Sequence, residues 1–167
     1  MDCIPVNDPV SANGAPERPK GAGARSARRR AREFALQGLY GWLLCGGDSA
    51  SIAAQLRSSS GYGRADEAYL LELLQGTTGS ADALRAQFSG AIDRPVADLS
   101  PVEHSILLIA TYELTQRPEI PYRVVINEAV ELAKEFGSTD GFRYVNGVLD
   151  KLAVRIRAQE AAAPKVP

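Results

Sequence analysis

Hydrophobic residues recur every three to four positions through most of residues 26–157, and this spacing predicts amphipathic α-helices. The β-branched run "RVVI" at 123–126 is a weak strand signal, because it lies within a longer helical period. We therefore predict an all-α fold, a compact bundle of about seven helices. The first helix has one apolar face, made of Ala31, Phe34, Ala35, Leu39, Trp42 and Leu43. The last has a core stripe of Phe142, Val145, Leu149, Leu152 and Ile156.

Several predicted helix ends are marked by residues with a defined capping role. Asp48 is placed to cap a short helix that follows the "CGG" turn. In "SPVE" at 100–103, Ser100 can cap a helix, Pro101 suits its first position, and Glu103 can accept a hydrogen bond from the Ser100 N–H. This pattern predicts a capping box. Gly137 directly follows "VELAKEF" and predicts the C-terminus of another helix.

The two ends of the chain lack the helical period. Residues 1–25 are rich in Pro, Gly and Ala, so we predict a disordered N-terminal arm. Residues 158–167 are predicted to form a flexible C-terminal tail, which leaves 26–157 as one folded domain. A domain of this size can bury enough apolar surface to fold without a disulfide or a structural metal.

Composition argues against membrane and secreted classes. No apolar run approaches the ~18 residues that a membrane-spanning helix needs, and the N-terminus lacks the pattern of a secretory signal. The two cysteines, Cys3 and Cys45, form no CxxC pair. We therefore expect a cytoplasmic protein without a membrane-spanning segment.

Residues for catalysis or metal binding are scarce. The single histidine, His104, lies in "EHS" without the glycines of a nucleophile elbow, and no phosphate-binding glycine motif is present. One histidine and two cysteines cannot supply a clustered zinc site. We expect His104 to be an exposed or capping residue. We also expect a protein that is not an enzyme, with no catalytic residues, no metal and no cofactor.

Four arginines fall within the five positions 28–32, where the sequence is "RRRAR". Residues 1–32 carry a net charge of +4 and the remainder of the chain carries −5. Positive charge at a helix N-terminus opposes the helix dipole, so helix stability alone would not explain a run placed there. Arginine binds phosphate and stacks on bases. Nucleic-acid binding, a solvated helix start and binding to an anionic membrane stay open at this point.

Four further positions stand out from the helical pattern. Tyr40, eight residues after Arg32, is either a core residue or a ring for base stacking beside the arginines. Asn127 and Asn146 lie inside predicted helices, where we favour buried amides that tie helices together. Gly147 costs about 1 kcal/mol relative to alanine in a helix interior, which indicates close helix packing or a nearby ligand.

Three segments add specificity to the helical pattern. They are "RRRAREFALQGLYGW" at 28–42, "PVEHSILLIATYEL" at 101–114 and "IPYRVVINEAVELAKEFGSTDGFRYVNGVLDKL" at 120–152. In this order and at this separation they resemble the NusB family of bacterial transcription antitermination factors, over about residues 26–157. The resemblance implies an all-helical fold of two small subdomains and a non-catalytic role. Some members of the family form homodimers, so the oligomeric state stays open.

The resemblance also implies two partners, neither of which is a membrane. One is the single-stranded boxA element of nascent ribosomal-operon RNA. The other is NusE, the antitermination form of a small-subunit ribosomal protein. The pair joins other Nus factors and RNA polymerase, so that rRNA operons are transcribed past terminators.

The resemblance implies roles for individual residues as well. Glu103 and Asp140 are acidic, which suits a basic ribosomal protein. Each also has a purely structural interpretation as a helix-capping residue, and both interpretations stay open. RNA contacts are implied for Arg28, Arg29, Arg30 and Arg32, with Tyr40 nearby. A NusE-facing surface at the edge of the RNA site is implied for Glu103, Phe136, Asp140 and Tyr144.

Overall fold

The computed structural model describes residues 20–163, with side chains from residue 23 onward, and this part of the chain is helical throughout with no strand. The all-α prediction is confirmed. Two short 3₁₀ turns lie at Tyr62–Arg64 and Val96–Asp98. The α-helices are α1 (Lys20–Cys45), α2 (Ser49–Leu56), α3 (Glu67–Gly79), α4 (Ala81–Ser89), α5 (Pro101–Gln116), α6 (Tyr122–Phe136), α7 (Gly141–Ile156) and α8 (Ala158–Ala162).

Helix α5 is the centre of the bundle. Residues 105–111 are buried on every side of the helix, which is typical of a helix enclosed by others rather than packed on one face. It packs against α1, α3, α4, α6 and α7. The buried apolar side chains form one continuous cluster, so the two subdomains that the resemblance implies share a core.

The predicted helix ends are confirmed where a single local signal defines them. The Asp48 carboxylate accepts a hydrogen bond from the Ser51 N–H at 2.8 Å and caps α2. The Ser100 hydroxyl oxygen accepts from the Glu103 N–H at 3.1 Å, with Pro101 as the first residue of α5. Within residues 20–163, however, no reciprocal bond joins the Ser100 N–H to the Glu103 carboxylate, so only half of the predicted capping box forms.

Gly137 ends α6 as predicted, for a reason of space rather than of backbone angle. Its N–H donates to the Ala133 carbonyl at 2.9 Å, and its φ of −92° is accessible to any residue. A Cβ atom at this position would lie 2.6 Å from the Ala133 oxygen. Glycine is therefore the residue that lets the chain turn directly over the last carbonyls of the helix.

The structure differs from the prediction at both ends of the domain. Helix α1 begins at Lys20, six residues before the predicted boundary, and residues 158–162 form α8 instead of a flexible tail. Residues 20–25 extend a helix that is nucleated further along α1, and extension is far cheaper than nucleation, so the segment is helical although it contains two glycines as well as two alanines. The disorder predicted for residues 1–19, and the flexibility predicted for 164–167, lie outside the described residues.

This early start changes the position of the arginine run relative to the helix. Arg28 lies more than two turns after Lys20, beyond the first turn to which the dipole effect is confined. The predicted dipole penalty therefore does not apply, and the placement of each arginine must be explained by its neighbours.

No helix within residues 20–163 combines the length and the apolar character that a bilayer-spanning helix requires.

Candidate nucleic-acid interface

The four arginines of α1 at 28–32 point in different directions and meet different partners. Only 5% of the Arg32 side chain is exposed, against 41% of Arg28. Consecutive helix positions differ by about 100°, so a compact run of residues necessarily surrounds the helix. The run therefore divides into side chains that enter the bundle and side chains that face solvent.

Arg32 enters the bundle. Its Nε donates to Glu113 Oε1 on α5 at 2.7 Å, and the Tyr69 hydroxyl donates to the same oxygen. Burial opposes the charge on Arg32, but the pKa of Arg32 is raised because Glu113 and its neighbours outweigh that effect. Burial and Glu113 likewise raise the pKa of Tyr69, so its hydroxyl keeps the proton that it donates. This placement argues against the phosphate contact predicted for Arg32, and we assign no such contact to it.

Arg29 joins α1 to α6 at the surface. Its Nε and a terminal nitrogen each donate to a different oxygen of Glu128 at 3.0 Å, the paired geometry that suits a guanidinium and a carboxylate. Hydrogen bonding to Glu128 raises the pKa of Arg29. An outside phosphate would have to compete with Glu128 for this guanidinium.

Arg28 lies beside the ring of Tyr69, at the first turn of α3. Its Cζ is 5.0 Å from the ring centroid, and its Nε is 4.0 Å from Asp66 Oδ2. The same ring is approached by Arg32 at 5.5 Å and by Arg117 at 5.1 Å. The guanidinium of Arg28 is thus oriented by the ring while much of it remains in contact with solvent.

Arg30 faces the 3₁₀ turn at Tyr62–Arg64. A Cβ atom placed on Gly61 would lie 3.6 Å from a guanidinium nitrogen of Arg30 and 3.6 Å from one of Arg64, so these two nitrogens are within about 7 Å of each other. Neither arginine has a carboxylate within ion-pair distance among the described residues. Two close cations without counter-ions repel each other, and an anion bound between them would relieve that repulsion.

The sequence interpretation missed Arg64 and Arg25. Arg64 is an isolated arginine in the loop segment "GYGR", and no spacing rule connects it with Arg30, which lies more than thirty residues earlier. The sequence predicts a disordered arm at Arg25, but this residue lies on α1, exposed and with no ion-pair partner in the described part of the chain. Arg25, Arg28, Arg30 and Arg64 are therefore the arginines open to a ligand around the start of α1.

Tyr40 is exposed, and the structure rules out its interpretation as a core residue. The side chain is 43% exposed on the solvent side of α1. At 100° per residue, it shares a side of the helix with Arg29 and lies about 80° from Arg32. The ring is therefore available for stacking, about three turns from the start of the arginine run.

Glu103 lies in the first turn of α5, with its carboxylate beside the N-terminus of α7. A Cβ atom on Gly141 would be 3.4 Å from Glu103 Oε1, so the carboxylate is next to the first residue of that helix. Negative charge is favourable at a helix N-terminus. Glu103 therefore has a structural neighbour in the fold, although not the Ser100 N–H that the capping box predicted.

The other three residues of the predicted partner surface lie at the end of α6 and on α7. Asp140 is exposed at the position that caps α7, but its side chain makes no capping hydrogen bond, so capping does not explain this residue. Phe136 is an exposed aromatic residue at the end of α6. Tyr144, on α7, is covered by Arg94, a residue that the sequence did not single out. The Cζ atom of Arg94 lies 4.4 Å from the centroid of the Tyr144 ring, and Arg94 also pairs with Asp93 at 2.8 Å.

The prediction that Asn127 and Asn146 are buried ties between helices is wrong. Both are exposed and line an open groove between α6 and α7, where the Asn146 amide donates to Asp150 at 3.3 Å. A Cβ atom on Gly147 would meet no atom within 4 Å, so close helix packing does not explain this glycine.

His104 is neither exposed nor a cap. Arg85 Nε donates to His104 Nε2 at 3.0 Å, and the ring meets Phe88 edge-on. Burial and the charge of Arg85 lower the pKa of His104 to about 4, so the ring is neutral at pH 7. Among the residues that the structure describes, no group of three or more His, Cys, Asp or Glu side chains is placed to hold a metal ion.

Comparison with known proteins agrees with the all-helical architecture described above. A model of the NusB family matches residues 29–154. The chain is 58% identical over 149 residues to the transcription antitermination protein NusB of Bordetella pertussis, covering 86% of this chain and 97% of that protein. It is 52% identical over 154 residues to the NusB of Ralstonia nicotianae, covering 92% of this chain and 99% of that one.

Solved structures show the same architecture. The NusB of T. maritima superimposes with a TM-score of 0.66 at 25% identity, covering 81% of this chain and 97% of that chain. A NusB solved with NusE and double-stranded RNA has a TM-score of 0.64 at 20% identity, covering 75% of this chain and 95% of that one, and it supports the fold. Because the family model and both sequence relatives match over most of its length, this chain belongs to the NusB family.

Proposed function

We propose that this protein is a transcription antitermination factor that binds the boxA element of nascent ribosomal-operon RNA together with NusE. It acts by binding, without catalysis, in the bacterial cytoplasm, and it connects the RNA to other Nus factors and RNA polymerase. The names of its sequence relatives and the related NusB–NusE–RNA assembly support this proposal.

The pair of Arg30 and Arg64 is the single observation on which the RNA proposal most depends. Their guanidinium nitrogens lie within about 7 Å of each other, without a carboxylate partner in the described residues. Arg29 and Arg32 are engaged by Glu128 and Glu113 and therefore do not serve as the main phosphate ligands. We propose that the phosphate backbone is bound mainly by Arg28, Arg30 and Arg64, with Arg29 at the edge.

We propose a single-stranded ligand although the related assembly contains double-stranded RNA. Unpaired bases can stack on arginine planes and on exposed aromatic rings, whereas paired bases cannot leave their stack without cost. The exposed ring of Tyr40 and the stacked guanidinium of Arg28 offer both kinds of surface. These features favour an RNA whose bases are free.

For NusE we propose the surface formed by Glu103, Phe136, Asp140 and Tyr144. Asp140 is exposed and makes no capping bond, which leaves its charge free to attract a basic ribosomal protein. Aromatic residues are enriched in protein interfaces, and Phe136 and Tyr144 supply such area.

A second candidate is a helical protein-interaction module whose arginines only stabilise the bundle. The ion pairs of Arg29 and Arg32 favour it, because they show that these two arginines of the run have structural partners. It predicts no preference for a particular RNA sequence.

Binding measurements with and without NusE separate the two candidates. A fluorescent boxA RNA and a scrambled RNA of equal composition are titrated with this protein, with NusE, and with an equimolar mixture. We expect the mixture to bind boxA more tightly than either protein alone, and more tightly than it binds the scrambled RNA. Equally loose binding of both RNAs, with or without NusE, would favour the interaction module.

A further inference from the structure

A cavity of about 580 Å³ opens between the start of α1 and the start of α6. Arg25 and Arg28 line it on the side of α1, and Ile120, Pro121 and Val124 line it on the opposite side. Binding sites for small organic groups have volumes of roughly 300–1,000 Å³. The cavity is therefore large enough to take a ring system together with the sugar that bears it.

The wall on the side of α6 is apolar and accessible. Val124 is 42% exposed, which is unusual for a large apolar residue in this protein, and Pro121 beside it is exposed as well. Exposed apolar residues that line a cavity are typical of the wall of a ligand-binding groove. A nucleobase has two apolar faces and polar edges, so it can cover such a wall while its edges meet polar groups.

The charges around the cavity are arranged for a ligand that carries a phosphate. Each of its three carboxylates already has an arginine partner: Asp66 is paired with Arg28, Glu119 with Arg117, and Glu128 with Arg29 and Arg32. Arg25 has no ion-pair partner within the described chain. Among the arginines that line the cavity, Arg25 is therefore the one left free to bind a phosphate, because Arg28 and Arg32 have carboxylate partners. The paired carboxylates keep oxygen lone pairs that can accept hydrogen bonds from base amino groups.

The cavity adjoins the surface over which the RNA would run. Arg28 lines it and is also one of the proposed phosphate ligands on α1. A strand bound there would pass the mouth of the cavity with its phosphates against guanidinium groups. An unstacked base on the same strand would then face the apolar wall.

We propose that this cavity is a subsite for one unstacked base of the bound RNA, with Arg25 and Arg28 at the adjoining phosphate and Val124 against the base. The inference rests on the proposed RNA-binding function and adds to it a place where sequence is recognised. The phosphate contacts position the strand, and the enclosed base supplies part of the preference for one RNA over another.

The test combines a cavity variant with an abasic scan of the RNA. Val124→Gln removes the apolar wall and extends a polar side chain into the cavity, at an exposed position that tolerates glutamine in a helix. Val154→Gln is the matched control, because Val154 is 62% exposed on α7 and does not line the cavity. Single-stranded boxA RNAs, each with one base replaced by an abasic site, are titrated against the three full-length proteins.

With the unmodified protein, we expect one abasic position to weaken binding roughly tenfold, as loss of a stacked base does. Val124→Gln should weaken binding of the intact RNA by a similar factor and abolish the penalty at that one position alone. Its salt dependence should match the unmodified protein, since no phosphate contact is lost. Val154→Gln should retain the penalty.

Three results would overturn the proposal in different ways. If Val124→Gln leaves every abasic penalty unchanged while salt-dependent RNA binding persists, the cavity takes no base and the proposed function stands. If Val124→Gln weakens binding of NusE and leaves RNA binding intact, the cavity belongs to a protein partner. If the unmodified protein binds none of these RNAs, the proposed function fails together with the subsite.

Discussion

Arg32 on α1 and Glu113 on α5 form a buried ion pair, with Nε and Oε1 2.7 Å apart and both side chains withdrawn from solvent. The Tyr69 hydroxyl donates to the same carboxylate, so three helices meet at one polar centre inside the apolar bundle. This centre fixes the orientation of α1, and with it the direction in which the remaining arginines face.

Removing Arg32 should destabilise the fold. Arg32→Ala leaves the Glu113 carboxylate buried without its cation, and breaking such a pair from one side costs about 3–5 kcal/mol. Urea denaturation measures this loss. Arg30→Ala, on the same helix but without an ion-pair partner in the described chain, should change the free energy of unfolding by less than about 0.5 kcal/mol. Equal stability of the two variants would refute a structural role for Arg32.

Stability should fall as pH decreases from about 6.5 towards 4, in part because of His104. Its pKa in the folded state is about 4, below the ordinary value of 6.5, because the ring is partly buried and lies beside Arg85. The unfolded chain therefore binds a proton in this range that the folded chain does not, which favours unfolding.

The contribution of His104 can be isolated by substitution. Free energies of unfolding are measured between pH 4 and pH 7 for the unmodified protein and for His104→Gln, which retains an acceptor for Arg85 and does not titrate. The variant should lose less stability across this range. Parallel curves would show that the histidine does not contribute.

Gly76 should tolerate no side chain. A Cβ atom there would lie 2.1 Å from Tyr112 Cε2, where α3 and α5 approach closely, so Gly76→Ala should cost about 1–3 kcal/mol through overpacking. Gly147→Ala is the control. Its Cβ would meet no atom within 4 Å inside α7, and alanine there should stabilise the helix by about 0.5–1 kcal/mol. Thermal unfolding distinguishes the two signs.

Substitutions at Asp140 and Asp48 should separate an effect on partner binding from an effect on helix capping. Asp140 makes no capping hydrogen bond, so Asp140→Ala should leave stability nearly unchanged and weaken binding of NusE. Asp48 accepts from the Ser51 N–H and hydroxyl, so Asp48→Ala should cost about 1 kcal/mol and leave NusE binding unchanged. Calorimetric titration with NusE and urea denaturation measure the two effects. A loss of stability in Asp140→Ala without a loss of affinity would contradict the assignment.

The sequence predicts those features that depend on neighbouring residues. The caps at Asp48 and Ser100 and the stop at Gly137 follow from signals within four residues of each helix end. The inward direction of Arg32 does not, because its partner Glu113 is 81 positions away in the sequence. One local signal was available: Glu113 is a carboxylate inside the apolar segment "ILLIATYEL", and a charge there requires a buried partner.

The same limit explains the errors at the surface. Asn127 and Asn146 have the polar character of either a buried tie or an exposed groove, and the helical period alone did not assign them to the outer side of α6 and α7. Arg64 joins Arg30 only because α1 packs against the 3₁₀ turn. Spacing along one helix cannot reveal a neighbour on another element.

The salt dependence of RNA binding tests most directly whether Arg30 and Arg64 form the anion site. Each phosphate neutralised on a single strand changes the logarithm of affinity by about 0.7 per logarithmic unit of salt. The double variant Arg30→Ala/Arg64→Ala should therefore flatten the slope by about 1.4. The control Arg123→Ala/Lys151→Ala removes the same charge from exposed positions on α6 and α7, and its slope should equal that of the unmodified protein. An unchanged slope in the first variant, or an equal change in both, would contradict the account.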